Sequence, residues 1–566
     1  MKIRHISIRN YRGIKILDWK VNSDFTCLIG SGDSTKSTIL DAIECALTPR
    51  WNCVFEDTDF YNLDVTQNIN MNITLGQLPN LFISEQKYGL FLRGWSNQSE
   101  LHDEPEEGDE PVITISLQVD KGLEPKWLIV NERLQDERMI SSADRSQIGV
   151  SRLGSYTSKH LSWSSGSALS SMTGEDLKIN ELMADTVRRI RNSFDMHSIN
   201  EIQQTVQVAK TLGEKLGVVS KNEIKAHLDI KKLSVKESGV CLHDGNVPLR
   251  LSGIGTQRLM GLALQTGLQE KGGISLIDEI EYGLEPHRIC QVLKYLETLT
   301  GTNGQMFITT HSPCVLQELD IKNIKIVFSE NGVTTIKDII DDTKSSFQKL
   351  IRTNPFAFLA KKVVVCEGNT EIGLLRGIDQ SYIENSERGM WTFGVALANG
   401  KGDASFDMAK RFKELRYDVV WFGDSDLQSA ITKKQDLVNL GISVVSWADS
   451  LNTESRLFSD LPWEGVKDIV KTAIDLNGKQ QIISNIKIIK DDISDNIESW
   501  VDSQELRNTI GKAASQGSWY KNVTNGELMG YSVASYLNSC SSTDLAKKIE
   551  IIRKWIKNDE HGTASS

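Results

Sequence analysis

No apolar run in this 566-residue chain is longer than a strand, which excludes a transmembrane helix. The opening residues, Met1-Lys2-Ile3-Arg4-His5-Ile6-Ser7-Ile8, alternate in character and lack the apolar block of a signal peptide. The eight cysteines are scattered, with no C-x-x-C pair. They read as reduced, mostly buried thiols of a cytoplasmic protein, and no zinc site is expected. No repeat of fixed period is present, which excludes a solenoid. Basic residues are also in deficit: 64 Lys and Arg stand against 75 Asp and Glu, a net charge of −11. That balance argues against a protein that coats DNA, because phosphate binding relies on Lys and Arg. It leaves a nuclease open, since bound cations offset metal-binding carboxylates and a basic surface need only be local. Two basic clusters, Lys410/Arg411/Lys413/Arg416 and Lys547/Lys548/Arg553/Lys554/Lys557, are candidates for such a surface, although each reads more simply as a solvated helix face.

The chain is too long for one core, so two to four domains are expected. Its 39% hydrophobic and 25% charged content is ordinary for a soluble globular protein. Lys2 to Arg9 reads as an edge strand and Phe25 to Ile29 as a second strand, with a helix over Ser37 to Leu47. Asn68 to Leu75 alternates as a strand, Glu100 to Glu110 as an acidic loop, and Ser162 to Gly174 as a surface segment rich in Ser and Gly. Between Asp176 and Lys236 the pattern is helical, with Met183, Val187, Ile190 and Phe194 on one core-facing stripe. Strands followed by helical stretches return at Ile274 to Ile277 and Met306 to Thr309, the signature of a βα-layered domain. A boundary is expected between Ile339 and Ala360, followed by a second α/β unit with buried strands at Lys362 to Cys366, Val419 to Phe422 and Ile442 to Trp447.

Two constellations carry chemistry. In the first, Gly30-Ser31-Gly32-Asp33-Ser34-Thr35-Lys36-Ser37-Thr38 joins an apolar strand to a helix. This approximates the phosphate loop G-x-x-x-x-G-K-[ST], in which backbone N–H groups cradle phosphate, the Lys reaches the outer phosphates and the hydroxyl ligates Mg²⁺. Gly30, Lys36 and Ser37 match, but Thr35 stands where the second Gly belongs, and its Cβ crowds backbone that should approach the ligand. Downstream, the strand ending in Asp278-Glu279 can offer one carboxylate to Mg²⁺ and the other to an attacking water. Leu251-Ser252-Gly253-Ile254-Gly255-Thr256-Gln257-Arg258 precedes that strand, and Thr309-Thr310-His311-Ser312-Pro313 follows the next.

This order resembles the ATP-binding cassette heads of the SMC, RecF and OLD (overcoming lysogenization defect) group. The resemblance implies that Leu251 to Gln257 is the signature motif, Asp278-Glu279 the Walker B pair and His311 the switch histidine. It also implies that Arg12, in the turn Asn10-Tyr11-Arg12-Gly13, lies near the phosphates, and that Ser252 and Gly253 of one subunit face Lys36 of another. ATP, held by Gly30, Lys36, Ser37 and Thr38, and a homodimer or higher homo-oligomer are therefore expected.

In the second constellation, Glu367-Gly368-x-x-Glu371 follows one apolar strand and Asp424-x-Asp426 another. Asp424 and Asp426 can reach one cation together where a strand leaves its sheet, and Glu367 adds a third carboxylate. Such hard oxygen ligands suit Mg²⁺ or Mn²⁺, and two such ions suit phosphodiester hydrolysis. The set resembles the Toprim domain of topoisomerases, primases and OLD nucleases. Asn452-Thr453-Glu454-Ser455-Arg456-Leu457-Phe458 is similar to the OLD acidic motif, implying a metal ligand in Glu454. Trp519-Tyr520-Lys521 with Gly526-Glu527-Leu528 is similar to the family's lysine motif, implying that Lys521 stabilises the phosphate or protonates the leaving oxygen.

The expected fold is therefore α/β: an ABC-type ATPase head over 1–345, a mixed sheet with a phosphate loop and a helical dimerisation insert at about 80–240, then a Toprim domain with a C-terminal helical extension over 346–566. The resemblance implies an ATP-regulated, metal-dependent DNA endonuclease using Glu367, Glu371, Asp424, Asp426, Glu454 and Lys521. Bacterial OLD proteins include lysogeny-exclusion proteins, the Gabija nuclease subunit and retron-encoded effectors, so antiphage defence is expected, with a helicase, or a reverse transcriptase with an RNA–DNA hybrid, as partner. Two alternatives stay open: a nucleotide-sensing scaffold with an inert Toprim site, and a RecF-like repair ATPase.

Overall fold

The short apolar runs form strands because their side chains are buried on both faces, as in the interior of an α/β layer. In a computed structural model, the described residues are 1–49, 53–133, 138–154, 157–164, 167–173, 181–182, 185–186, 188–189, 193, 200–215, 224, 226, 240–270, 272–299, 304–340, 346–424 and 430–558. Two compact units emerge. The first comprises Met1–Leu28, Thr35–Thr310 and Ser329–Thr335, and the second Ile29–Ser34, His311–Phe328 and Ile336–Ser566.

The first unit is mixed α/β. Its strands are β1 (Lys2–Tyr11), β2 (Ile14–Lys20), β3 (Phe25–Ile29), β4 (Ile69–Gly76), β5 (Glu110–Val119), β6 (Pro125–Val130), β7 (Val150–Leu153), β8 (Ile274–Ile277) and β9 (Gln305–Thr309). β7, β8, β9 and β3 run parallel in that order, with Leu153 opposite Ile277 and Ile308 opposite Cys27. The C-terminal ends of these strands thus lie side by side, where an open α/β sheet offers a ligand site. β2, β1, β4, β5 and β6 form an antiparallel run. β1 is therefore not an edge strand: it pairs on both sides, and Ile3, Ile6 and Ile8 are fully buried. Its period-2 alternation registered two unequal faces, which a strand shows with or without a second neighbour.

Within the 80–240 stretch, β5, β6 and β7 belong to the sheet, while Asn200–Lys215 is a largely exposed helix. The stripe Met183, Val187, Ile190 and Phe194 lies outside the described residues. The described residues between Ser162 and Thr173 are partly interior, contrary to their composition: Ser167 and Ala168 have no exposure, and the Ala168 amide donates to His160 Nδ1 at 3.1 Å.

In the second unit four strands, β10 (Lys362–Cys366), β11 (Val395–Asn399), β12 (Asp418–Gly423) and β13 (Ser443–Ser446), form a parallel sheet in the order β11-β10-β12-β13. In the first unit α1 (Lys36–Leu47) follows the glycine-containing loop, and in the second α2 (Asn369–Glu384), α3 (Thr453–Asp460) and α4 (Val523–Ala534) surround the cleft described below. α2 and α4 cross closely because Gly373 faces Gly526, where a Cβ on Gly373 would come within 2.5 Å of Gly526 Cα. Gly377 and Gly530 continue the contact one turn on, each with its missing Cβ against the other helix's backbone. This crossing brings the chain just before α4, with Lys521, against the start of α2.

Candidate functional site

The nucleotide candidate lies at the ends of the parallel strands. Gly30 has φ +150°, and a Cβ there would lie 2.5 Å from Val327 O and 2.9 Å from Ser34 Oγ, so the loop needs glycine at this point. Thr35 adopts a left-handed conformation (φ 67°, ψ 14°) immediately before α1. That explains why glycine is usual here: a β-branched residue holds this geometry at a cost on the order of 1–3 kcal/mol. Its hydroxyl lies 3.1 Å from Thr334 Oγ1. Lys36 is 4% exposed at the start of α1, with Ser37 and Thr38 following it.

Asp278 leaves β8 with both carboxylate oxygens hydrogen-bonded. Oδ1 accepts from Ser37 Oγ (3.0 Å) and Thr309 Oγ1 (2.6 Å), and Oδ2 accepts from Arg152 Nη2 (2.8 Å). Burial opposes its charge, but the Thr309 hydroxyl and Arg152 outweigh burial and hold its pKa below the usual carboxylate value. Glu279 is exposed with φ 46°, and its amide donates to Thr309 Oγ1 at 2.9 Å. Arg12 donates to Asp59 Oδ1 (2.8 Å) and Asp41 Oδ2 (2.5 Å). Ser252 and Gly253 precede the helix Ile254–Glu270, flanked by Leu251 and Ile254 at 69% and 59% exposure. His311 is exposed in the turn after β9.

Two arginines to which the sequence assigned no role stand here. Arg152 on β7 is one. The other is Arg258, fully buried, which donates to the carbonyls of Gly154 (2.6 Å), Asp278 (2.7 Å) and Glu279 (2.8 Å) and so ties the helix Ile254–Glu270 to the end of β8. A lone Arg within an apolar or helical pattern carries no signal of a long-range partner.

In the second unit, Glu367, Glu371, Asp424, Glu454 and Lys521 line one cleft of about 380 Å³, together with Asn369, Asn452 and Ser515. Asp426, expected beside them, lies outside the described residues. Glu367 directly follows β10 and accepts from the Asp424 amide at 2.8 Å. Glu371, 4% exposed in the first turn of α2, accepts from the Gly368 amide at 2.8 Å. Thr453, named in the sequence only as part of the Asn452–Phe458 motif, is fully buried and joins the set: its hydroxyl lies 2.7 Å from Glu371 Oε1, 2.8 Å from Asp424 Oδ1 and 2.9 Å from Trp447 Nε1. Lys521 is exposed at the mouth, its carbonyl 3.4 Å from Asn369 Nδ2. Glu454 is 4% exposed on α3, which Arg456 anchors through ion pairs to Asp449 (3.0 Å) and Asp544 (3.5 Å).

Burial, and then the charges of neighbouring carboxylates, raises the pKa of both Glu371 and Asp424. Among the described residues no three His, Cys, Asp or Glu side chains stand ready to hold one metal ion. The donor set nevertheless fits a hard divalent cation: it is all oxygen, and it crowds negative charge that a cation would relieve.

Residues 25–317 match a protein family described as "AAA domain, putative AbiEii toxin, Type IV TA system". The chain belongs to that family. An AAA domain binds nucleotide, which accords with the loop at Gly30 to Ser37. The chain is also similar to the Old nuclease of Escherichia phage P2, 27% identical over a 250-residue alignment that covers 39% of this chain and 42% of that protein. It thus spans under half the length of that relative. Similar solved structures include an SMC head bound to the C-winged helix domain of ScpA (14% identity, 60% of this chain and 98% of that one, TM-score 0.35). Another is the SMC head domain from Thermotoga maritima (17% identity, 60% and 100% coverage, TM-score 0.30).

Elsewhere in this AAA family member the two basic clusters are partly neutralised. Lys410 pairs with Asp436 at 3.2 Å, and Arg553 and Lys557 both meet Glu387. Among the described residues no helix is long and apolar enough to cross a membrane.

Proposed function

We propose that the chain is an ATP-regulated, divalent-metal-dependent DNA endonuclease of the OLD type whose cutting centre is the cleft at the ends of β10 and β12, a Toprim site. The observation that carries this reading is convergence. Glu367, Glu371, Asp424, Glu454 and Lys521 come from four separate stretches of sequence and line a single cleft. Similarity to the Old nuclease of phage P2 supports it. Glu367, Glu371, Asp424 and Glu454, with Asp426, would hold Mg²⁺ or Mn²⁺. When bound, such ions would supply activation of the attacking water and stabilisation of the leaving oxygen. Lys521, at the mouth, sets a positive charge against the scissile phosphate and offers a proton to the departing oxygen. Thr453 fixes the facing oxygens of Glu371 and Asp424.

At the nucleotide site Lys36 would hold the outer phosphates, with Arg12 and Thr38 beside them, Ser37 and Asp278 would hold Mg²⁺, and Glu279 and His311 would orient the attacking water. The exposed Leu251 and Ile254 around Ser252-Gly253 favour a homodimer that completes this site from a second copy. A role in antiphage defence accords with the family's description as a putative toxin; the cytoplasmic setting and a helicase or reverse transcriptase partner belong to the same proposal and rest on the OLD resemblance alone. The rival reading, a nucleotide-sensing scaffold with an inert cleft, draws on the engagement of Glu371 and Asp424 by Thr453. Supercoiled plasmid separates the two. Nicked or linear product is expected with Mg²⁺ or Mn²⁺ and none after EDTA, whereas intact plasmid under every metal condition favours the scaffold.

A further inference from the structure

Asp278, which the nucleotide-site reading sets beside the cation of a bound Mg–nucleoside triphosphate, does not orient itself. A carboxylate turns readily about its last torsion, since that well is broad. Here the turn is stopped from both sides: Ser37 and Thr309 donate to Oδ1, and Arg152 Nη2 donates to Oδ2 at 2.8 Å. Arg152 faces Leu276 in the β7–β8 ladder. Two residues on, Asp278 projects to the same side of the sheet, so strand register alone brings the pair together. The guanidinium is itself held: its Nη1 is ion-paired with Asp41 and lies 3.5 Å from Glu44 Oε2, both on α1, the helix that follows the phosphate loop. With a side chain only 14% exposed, Arg152 is the positive charge among three carboxylates that would otherwise repel one another. Asp41 in turn accepts from Arg12 at 2.5 Å.

We propose that Arg152 is a positioning residue of the nucleotide site, turning Asp278 so that Oδ1 alone, the oxygen bonded to Ser37, is presented to the Mg²⁺ of a bound nucleoside triphosphate. The proposal rests on the reading of Gly30 to Ser37 as that site. It assigns Arg152 to the Mg²⁺-dependent part of nucleotide affinity and leaves the phosphate contacts of Lys36 untouched.

Titrating the full-length protein with a fluorescent ATP analogue, once in EDTA and once in Mg²⁺, tests this. For Arg152→Gln the affinity in EDTA is expected to stay within about twofold of wild type, while the gain conferred by Mg²⁺ falls about tenfold or more, the size of a lost hydrogen bond to a charged group. Arg152→Lys, which keeps the charge, is expected to restore part of that gain, and Asp41→Asn to lose part of it. A Mg²⁺ gain equal to wild type in Arg152→Gln overturns the proposal. So does an equal loss of affinity in EDTA and Mg²⁺ shared by the Gln and Lys variants, which marks a merely structural arginine. Wild-type protein that binds no nucleotide in either condition overturns the nucleotide-site reading, and this inference with it.

Discussion

Replacing Glu367 with Gln is expected to slow plasmid nicking by roughly a thousandfold, about 4 kcal/mol of barrier, while ATP affinity stays at the wild-type level. The substitution removes one charge from the cleft and almost no volume. Gln still offers an oxygen to the Asp424 amide, the contact that Glu367 Oε2 makes at 2.8 Å, so the turn after β12 keeps its partner. The hard ligand is what disappears, since a neutral amide binds a divalent cation far more weakly than a carboxylate. Initial nicking rates in Mn²⁺, measured beside ATP binding, check it. A rate equal to wild type would remove Glu367 from the cutting centre.

Lys36→Ala is expected to weaken ATP binding by roughly a hundredfold, about 3 kcal/mol, the range of charge-assisted contacts made in a shielded site. Lys36 is 4% exposed at the N-terminal end of α1, where the helix dipole already favours an anion. The dipole and the loop amides survive the substitution, so a residual affinity should remain. Equilibrium titration with ATP reads the change directly, and circular dichroism reports whether the variant is folded. Unchanged affinity in a folded variant would show that this loop is not the nucleotide site.

What the sequence made legible follows from how local each signal is. Val363, Val364 and Val365 make a strand of Lys362–Cys366 wherever they are buried, and the expected bounds of that strand and of Ile274–Ile277 match the structure. The acidic residues were visible because each stands at the end of such a strand or in the first turn of a helix. Partners distant in sequence were not visible. Arg152 meets Asp278 only through β7–β8 register, and the Gly373–Gly526 contact depends on how α2 and α4 cross. Thr453 looked like one letter of a motif until Glu371 and Asp424 were found on either side of its hydroxyl. Thr35 illustrates a middle case. The departure from glycine was plain in the sequence, but its left-handed backbone, the reason glycine is usual there, belongs to the fold.

The central claim is that the carboxylate cleft holds the metal ions that cut DNA. Affinity cleavage tests it most directly: Fe²⁺ is substituted for Mg²⁺ in the full-length protein, ascorbate and peroxide are added, and the fragments are mapped by mass spectrometry. The account predicts backbone scission near Glu367, Asp424 and Glu454, suppressed by excess Mg²⁺ and absent from Glu367→Gln. Scission confined to other segments, or an unchanged pattern in that variant, would contradict it.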